Sequence, residues 1–298
     1  MFAKRSRTIN VDGAAHLSAK LDSVLEQRRT AAPGRYWISY TFSLRPNVAL
    51  ELVLNNAGGS PIKLGAITGA GAKSTRRAGL FLSYEGIDLN RASCVLLVDL
   101  DQPHDWDGAT VYWLGLIETD QSLDFIEHLF SRNSDAESCS RLLEAAAVHN
   151  DPQAETLLKK WARSSTFAEA RMAAIKWLGR IGGNLEFLAE IVTNESENSR
   201  VREQAAMSIG KSTEPEAVAI LRRLYETVSA TSLKIQLISA LSKQLDTPAA
   251  VEYLRSISNL DRDQVLVMHS RSKLDKADGK KWKKKTRNPR TNSAEEGF

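Results

Sequence analysis

After residue 120 apolar residues fall in pairs three apart, and the pairs recur: Ile126/Leu129, Leu158/Trp161, Leu188/Ile191, Leu221/Leu224 and Leu254/Ile257. The steps between them are 32, 30, 33 and 33 residues. A spacing of three places both members on one helical face, and a period of this length signals stacked supersecondary units. Six residues before each pair stand Asp120, Pro152, Gly182, Pro215 and Pro248. Proline is tolerated at a helix start and breaks an interior, so each position marks the beginning of a helix. A second pattern fills the remainder of each unit. Ala170-Arg171-x-x-Ala174-x-x-Trp177-Leu178-Gly179 is matched by Val201-Arg202-x-x-Ala205-x-x-Ser208-Ile209-Gly210, with weaker copies around Ser140-Arg141 and Leu233-Lys234. Small residues here let neighbouring helices approach, and Gly179 and Gly210 suit the left-handed conformation that commonly ends a helix.

The first 120 residues have another rhythm. They hold 11 of the 17 glycines, which points to turn-rich, extended structure. A charged, mobile start leads into a predicted helix over residues 13–29, with Ala14, Leu17, Leu21, Val24 and Leu25 on one face and Asp12 as N-cap. Strands are predicted over 36–42, 48–54, 80–84, 94–100 and 110–114, with a long loop or frayed hairpin over 55–79. One helix and about five strands make a small α+β domain with a mainly antiparallel sheet over residues 1–118. The helical repeats follow over 119–275, and a disordered basic tail over 276–298. Only Glu118, Thr119 and Asp120 separate the last strand from the first repeat helix, so the first domain is expected to pack on that repeat and cap it.

The paired helices, their period and their basic residues resemble HEAT repeats, in particular the short bacterial HEAT-like repeats named after phycobilisome lyases. The resemblance covers residues 121–258: four helix pairs, plus a last helix that pairs with residues 264–274. It implies that the α+β N-terminal domain is followed by an all-α superhelical solenoid. It also implies a protein-interaction scaffold whose second helices line a concave binding face. Arg171, Lys176, Arg180, Arg202 and Lys234 are the partner-binding candidates on that face, against the alternative of a solvated surface with local ion pairs. The family name of the repeats suggests a second reading, a chromophore-lyase-like enzyme. The aromatic strand at 36–40, the stretch at 111–115 and a helix beginning near Asp120 resemble uncharacterised bacterial HEAT-repeat proteins. Many of those are exported and carry cysteine clusters in this region; this sequence shows neither feature.

Charge changes the picture at one end only. The net charge of +4 divides into +5 over residues 261–298 and −1 over the rest, so the high isoelectric point belongs to the tail. Lys280, Lys281, Trp282, Lys283, Lys284 and Lys285 form a polyanion-binding candidate for nucleic acid or an anionic surface, or a solubilising extension. No apolar run approaches the roughly 18 to 20 residues of a membrane span. Two cysteines supply neither a disulfide framework nor a four-thiolate zinc site, and a cytoplasmic protein is expected.

Candidate chemistry is thin. Residues 65–74 end in Lys73-Ser74, but Ile67 and Ala72 stand where a phosphate-binding loop requires glycine. Asp99, Asp101, His104, Asp105 and Asp107 are close in sequence, yet Pro103 falls where a calcium loop needs a ligand, and a polar turn is the simpler reading. Cys94 reads as a core residue and Cys139 as exposed and inert at a helix start. Trp161 and Trp177 read as packing residues. The five histidines have no zinc-ligand spacing. The expectation is a protein without catalytic residues, metal or cofactor, acting on a protein partner.

Overall fold

The computed structural model describes residues 6–13, 16–46, 48, 75–102, 104, 106, 108–133 and 135–287. Two compact units divide at Trp177/Leu178.

The first unit opens with a five-stranded sheet formed by β1 (Arg7–Asn10), β2 (Tyr36–Thr41), β3 (Ala78–Tyr84), β4 (Cys94–Asp99) and β5 (Thr110–Leu116), in the order β1-β5-β2-β3-β4. Helix α1 (Leu17–Thr30) connects β1 to β2. β5 lies between those two strands and runs parallel to both, while β2–β3 and β3–β4 are antiparallel. The sheet is therefore mixed, because the crossover through α1 returns the chain in the same direction. Two local expectations are corrected. The charged start is not free, since Arg7–Asn10 forms an edge strand; and α1 is capped by His16, not Asp12, with Nδ1 accepting from the Ser18 N–H. Of the strand expected over 48–54 only Val48 is described, and the loop over 55–79 lies outside the described residues up to Ser74.

β2 and β3 are covered on both sides. Tyr36, Ile38, Tyr40, Leu80, Leu82, Tyr84, Tyr112 and Leu114 are fully buried on one face. Trp37, Phe81, Val98 and Val111 form a second cluster on the other, closed by Trp106, which stacks on Phe81 at 4.1 Å. Near the end of β5 the register with β2 shifts between Ser39 and Thr41, and Gly115 takes a positive φ of 76° there. Such an irregularity needs the conformational freedom of glycine.

The sheet meets α2 (Thr119–Arg132) and α3 (Ala136–Ala147) through a buried polar chain. His149 has no exposed surface. Its Nδ1 lies 2.7 Å from the Ala145 carbonyl, which can only accept, so the ring proton sits there. Nε2 then accepts from the Ser122 hydroxyl at 2.8 Å, and Ser122, its proton so used, accepts from the Tyr40 O–H at 3.1 Å. Phe42 stacks on the imidazole at 3.8 Å, Leu44 bridges to His149, and the Arg45 N–H donates to the Val148 carbonyl at 2.8 Å. The Leu17 N–H donates to Gln121 at 2.7 Å. Burial pushes the His149 imidazole down to about 4, although its backbone hydrogen bonds act the other way. Burial also holds the Tyr40 phenol far above its ordinary range. The sheet thus packs on the first helix pair, as the short connection at 118–120 predicts.

The remaining helices are α4 (Pro152–Ser164), α5 (Ala168–Ile181), α6 (Leu185–Thr193), α7 (Ser199–Lys211), α8 (Ala217–Thr227), α9 (Thr231–Leu241), α10 (Pro248–Leu260) and α11 (Gln264–Arg287). Pro152 and Pro248 are first helical residues, as their phase predicts. Leu188 and Leu221 are fully buried. Phe130 stacks on Trp161 at 4.2 Å, and Trp177 is 2% exposed, so both tryptophans pack.

In the second unit the repeats lock through small residues. Gly179 and Gly210 lie inside α5 and α7, not at left-handed helix ends; the positive φ that ends α5 belongs to Gly182 and Gly183. A Cβ on Gly210 would lie 2.6 Å from the Ala240 carbonyl oxygen and 2.7 Å from its Cα, and one on Gly179 would lie 2.8 Å from the Ser208 Cβ. Glycine is needed because the next helix's backbone occupies that space. Gln244 fastens the same joint, donating to the Gly210 and Ser212 carbonyls at 2.9 and 2.6 Å. Tyr225 donates to Asp261 at 2.7 Å, and Ser270 to the Leu254 carbonyl at 2.7 Å. Helix α11 continues to Arg287, so residues 276–287, expected in a disordered tail, extend it; 288–298 lie outside the described residues.

Candidate interaction surface

The second helices repeat not only in sequence but in exposure. Residues 201–209 of α7 and 233–241 of α9 follow the same succession: one buried, three half-buried, two buried, one half-buried, two buried. Stacking claims the buried positions. Glu203, Gln204 and Met207 on α7, and Ile235, Gln236 and Ser239 on α9, are half-buried at matching places one period apart; Gln204 donates to the Ser208 hydroxyl at 3.1 Å, and the Ser239 hydroxyl lies 3.0 Å from His269 Nε2 of α11. In α5 the corresponding residues are Met172, Ala173 and the exposed Lys176.

The basic candidates divide into three groups. Arg171, Arg202 and Lys234 share one phase, and each leans back on the end of the preceding helix of its own pair. Arg171 Nη1 donates to the Ser165 carbonyl at 2.6 Å, Arg202 Nε donates to the Val192 carbonyl at 2.8 Å, and Lys234 Nζ sits 4.9 Å from the centre of the Tyr225 ring. Arg171 and Arg202 therefore satisfy carbonyls at a helix C-terminus, where positive charge also complements the dipole. Lys176 occupies the repeated set, and the half-buried Arg180 stands in the last turn of α5. Lys280, Lys281, Trp282, Lys283, Lys284 and Lys285 fall within the helical span of α11, but their side chains lie outside the described residues.

Sequence reasoning singled out the cations and not Gln204, Met207 and Gln236, which share the repeated phase. The signal that finds them is phase: each sits at the same offset from the small stacking residues in successive units.

The other candidates are occupied by local structure. Asp99 accepts from the Asp101 N–H at 2.9 Å and from Thr75 at 3.3 Å, and Asp101 pairs with Arg77 at 2.7 Å. His104 lies 2.7 Å from the Asp99 carbonyl oxygen. Pro103, Asp105 and Asp107 lie outside the described residues, as do residues 65–74. Among the described residues no group of three or more His, Cys, Asp or Glu could hold a metal. Cys139 is buried rather than exposed; burial, then the Asp135 carboxylate, pushes its thiol up to about 11. Burial also raises Cys94, half-buried in β4 beside a cleft of about 260 Å³ with Arg141, Asp135 and Glu137. Neither thiol has the lowered pKa of a reactive cysteine. No helix among the described residues is long and apolar enough to cross a membrane.

Paired helices stacked through repeated small residues define a helical-repeat solenoid. The HEAT-repeat family model matches residues 156–242 and, overlapping these, 185–274, so this part of the chain is similar to HEAT repeats. No curated protein matches the chain.

Proposed function

We propose that the protein is a non-enzymatic adaptor that holds a protein partner on the second helices of its HEAT-like solenoid. The observation carrying this reading is the repeated half-buried set on α7 and α9, a mixed surface of Gln204, Met207 and Gln236 on a stacked support. HEAT repeats are generally protein-interaction elements, and a solenoid builds its binding surface from such repeated positions. The period of 30 to 33 residues supports grouping the repeats with the short bacterial HEAT-like class. A cytoplasmic location is part of the same reading.

Photo-crosslinking on the full chain tests it. A crosslinker at Gln204, Met207 or Gln236 should capture one and the same protein from native extract. The same group at Arg202, which leans on its own helix pair, should not. Capture from Arg202 but not from these three positions would overturn the proposal, as would metabolite turnover by the purified protein.

A further inference from the structure

A second row runs from Arg180 to Lys276. Arg180, Lys211 and Lys243 each follow directly on a small residue, Gly179, Gly210 or Ser242, at steps of 31 and 32 residues. Gly179 abuts Ser208 and Gly210 abuts Ala240, so the C-terminal ends of the second helices are stacked side by side. The residues that follow therefore line one edge, with neighbours about 8–10 Å apart as packed helices are. Helix α11 packs next to α9 and adds Lys273 and Lys276, at steps of 30 and 33 from Lys243. Lys211, Lys243 and Lys276 are exposed. The charges are near enough to act on one another: after burial, Lys276 and Lys243 push the Lys273 ammonium down, and Lys273 and Lys276 do the same to His269. Of the acids nearby in sequence, Glu214 is engaged by Ser212, Asp246 and Asp275 are exposed, and Asp278 stands in α11 between Lys276 and Lys280.

Cations in a last turn stabilise a helix end, which accounts for Arg180 and Lys211 taken singly, and Lys243 follows directly on the C-cap of α9. It does not account for Lys273 and Lys276, which stand in mid-helix. Beyond them α11 outruns the other second helices. Its last eight residues are Lys280, Lys281, Trp282, Lys283, Lys284, Lys285, Thr286 and Arg287.

We propose that this row, from Arg180 through Lys211, Lys243, Lys273 and Lys276 into the basic half of α11, binds the phosphate backbone of double-stranded nucleic acid. Lysines fixed at regular intervals on packed helices match a stiff, evenly charged backbone. A membrane surface fits less well, because residues 277–287 contain only Ala277 and Trp282 as apolar members, and an interfacial helix needs an apolar face. A protein interface fits less well too, since lysine is depleted there. This partner is additional to the protein partner proposed above; Lys211 stands four residues after Met207 and seven after Gln204, so the row continues that face at the C-terminal ends of the second helices.

Fluorescence anisotropy of a labelled DNA duplex with the full-length protein tests the proposal. If about half of these eleven cations meet phosphates at once, the slope in log affinity against log salt is roughly −4 to −5. Lys211→Ala combined with Lys243→Ala should flatten that slope by about 2, although both residues are remote in sequence from the terminal lysines. Ala277→Pro, which keeps every charge but interrupts α11, should weaken binding at least several-fold. Circular dichroism confirms that each variant remains folded. If the double variant and Ala277→Pro both bind as the parent does, the ridge is refuted in favour of a simple charged tail. Absence of salt-dependent duplex binding refutes the site, and equal retention on phosphatidylserine vesicles refutes the nucleic-acid assignment.

Discussion

Gly210→Ala tests how the repeats are held together, because two known effects predict opposite signs. In an unobstructed helix the change is stabilising by about 1 kcal/mol, through propensity and a less flexible unfolded chain. Here the new methyl would lie 2.6 Å from the Ala240 carbonyl oxygen and 2.7 Å from its Cα, where ordinary contact begins near 3.4 Å. Both atoms belong to the backbone, so no side chain can rotate away and α9 itself must shift. Overpacking of this kind costs about 1–3 kcal/mol, and against a backbone the upper end applies. The net expectation is a loss of roughly 1–2 kcal/mol and a melting temperature lower by about 3–8 °C, followed by circular dichroism on the full chain. Gly86, with nothing within 4 Å of its built Cβ, is the control: Gly86→Ala should change stability by less than about 0.5 kcal/mol. Adding Ala240→Gly should not rescue Gly210→Ala, since the obstructing oxygen and Cα remain. A Gly210→Ala protein that melts at or above the parent temperature would refute close backbone contact as the reason for the glycine.

His149 links stability to pH. Its imidazole is held down at about 4 while the unfolded chain titrates near 6.5, so the contribution is complete above pH 6.5 and is lost as pH falls towards 4. About 3 kcal/mol should disappear over that window by urea titration, and His149→Gln should flatten the dependence. Leu188→Ala, at a fully buried position, should cost about 2–5 kcal/mol in the same assay. Arg202→Met should cost about 1 kcal/mol through the lost bond to the Val192 carbonyl while leaving partner capture unchanged; loss of capture at full stability would restore the binding role. Cys139 should resist iodoacetamide in the native protein at pH 8, read by mass spectrometry, because its thiol titrates at about 11 and is buried.

The repeat array was legible because its apolar pairs recur at a nearly fixed period, a signal that survives any single irregular residue. What the period conceals is the use of each position. Gly179 and Gly210 look alike whether they end a helix or admit a neighbour, and only the position of Ser208 and Ala240 distinguishes the two. Arg171 and Arg202 look like surface charges, yet their reach is to carbonyls about ten residues or fewer upstream, a contact that depends on the interhelical turn. β1 was missed for another reason. Arg7-Thr8-Ile9-Asn10 has almost no apolar alternation, and its partner strand lies about a hundred residues further along the chain. Pairing of that range is set by topology, which local pattern does not encode.

The contact of main chain with main chain at Gly210 and Ala240 has a mechanical consequence. An interface filled by side chains can be compressed a little, because rotamers exchange and methyl groups find new gaps. At this joint there is no side chain on α7 to yield, and the opposing atoms are the Ala240 carbonyl oxygen, Cα and Cβ, which no change of rotamer moves. Helices α7 and α9 can be levered apart there, against the hydrogen bonds that Gln244 makes to the Gly210 and Ser212 carbonyls, but they cannot be pushed closer. The joint behaves as a stop that permits flexing in one sense only.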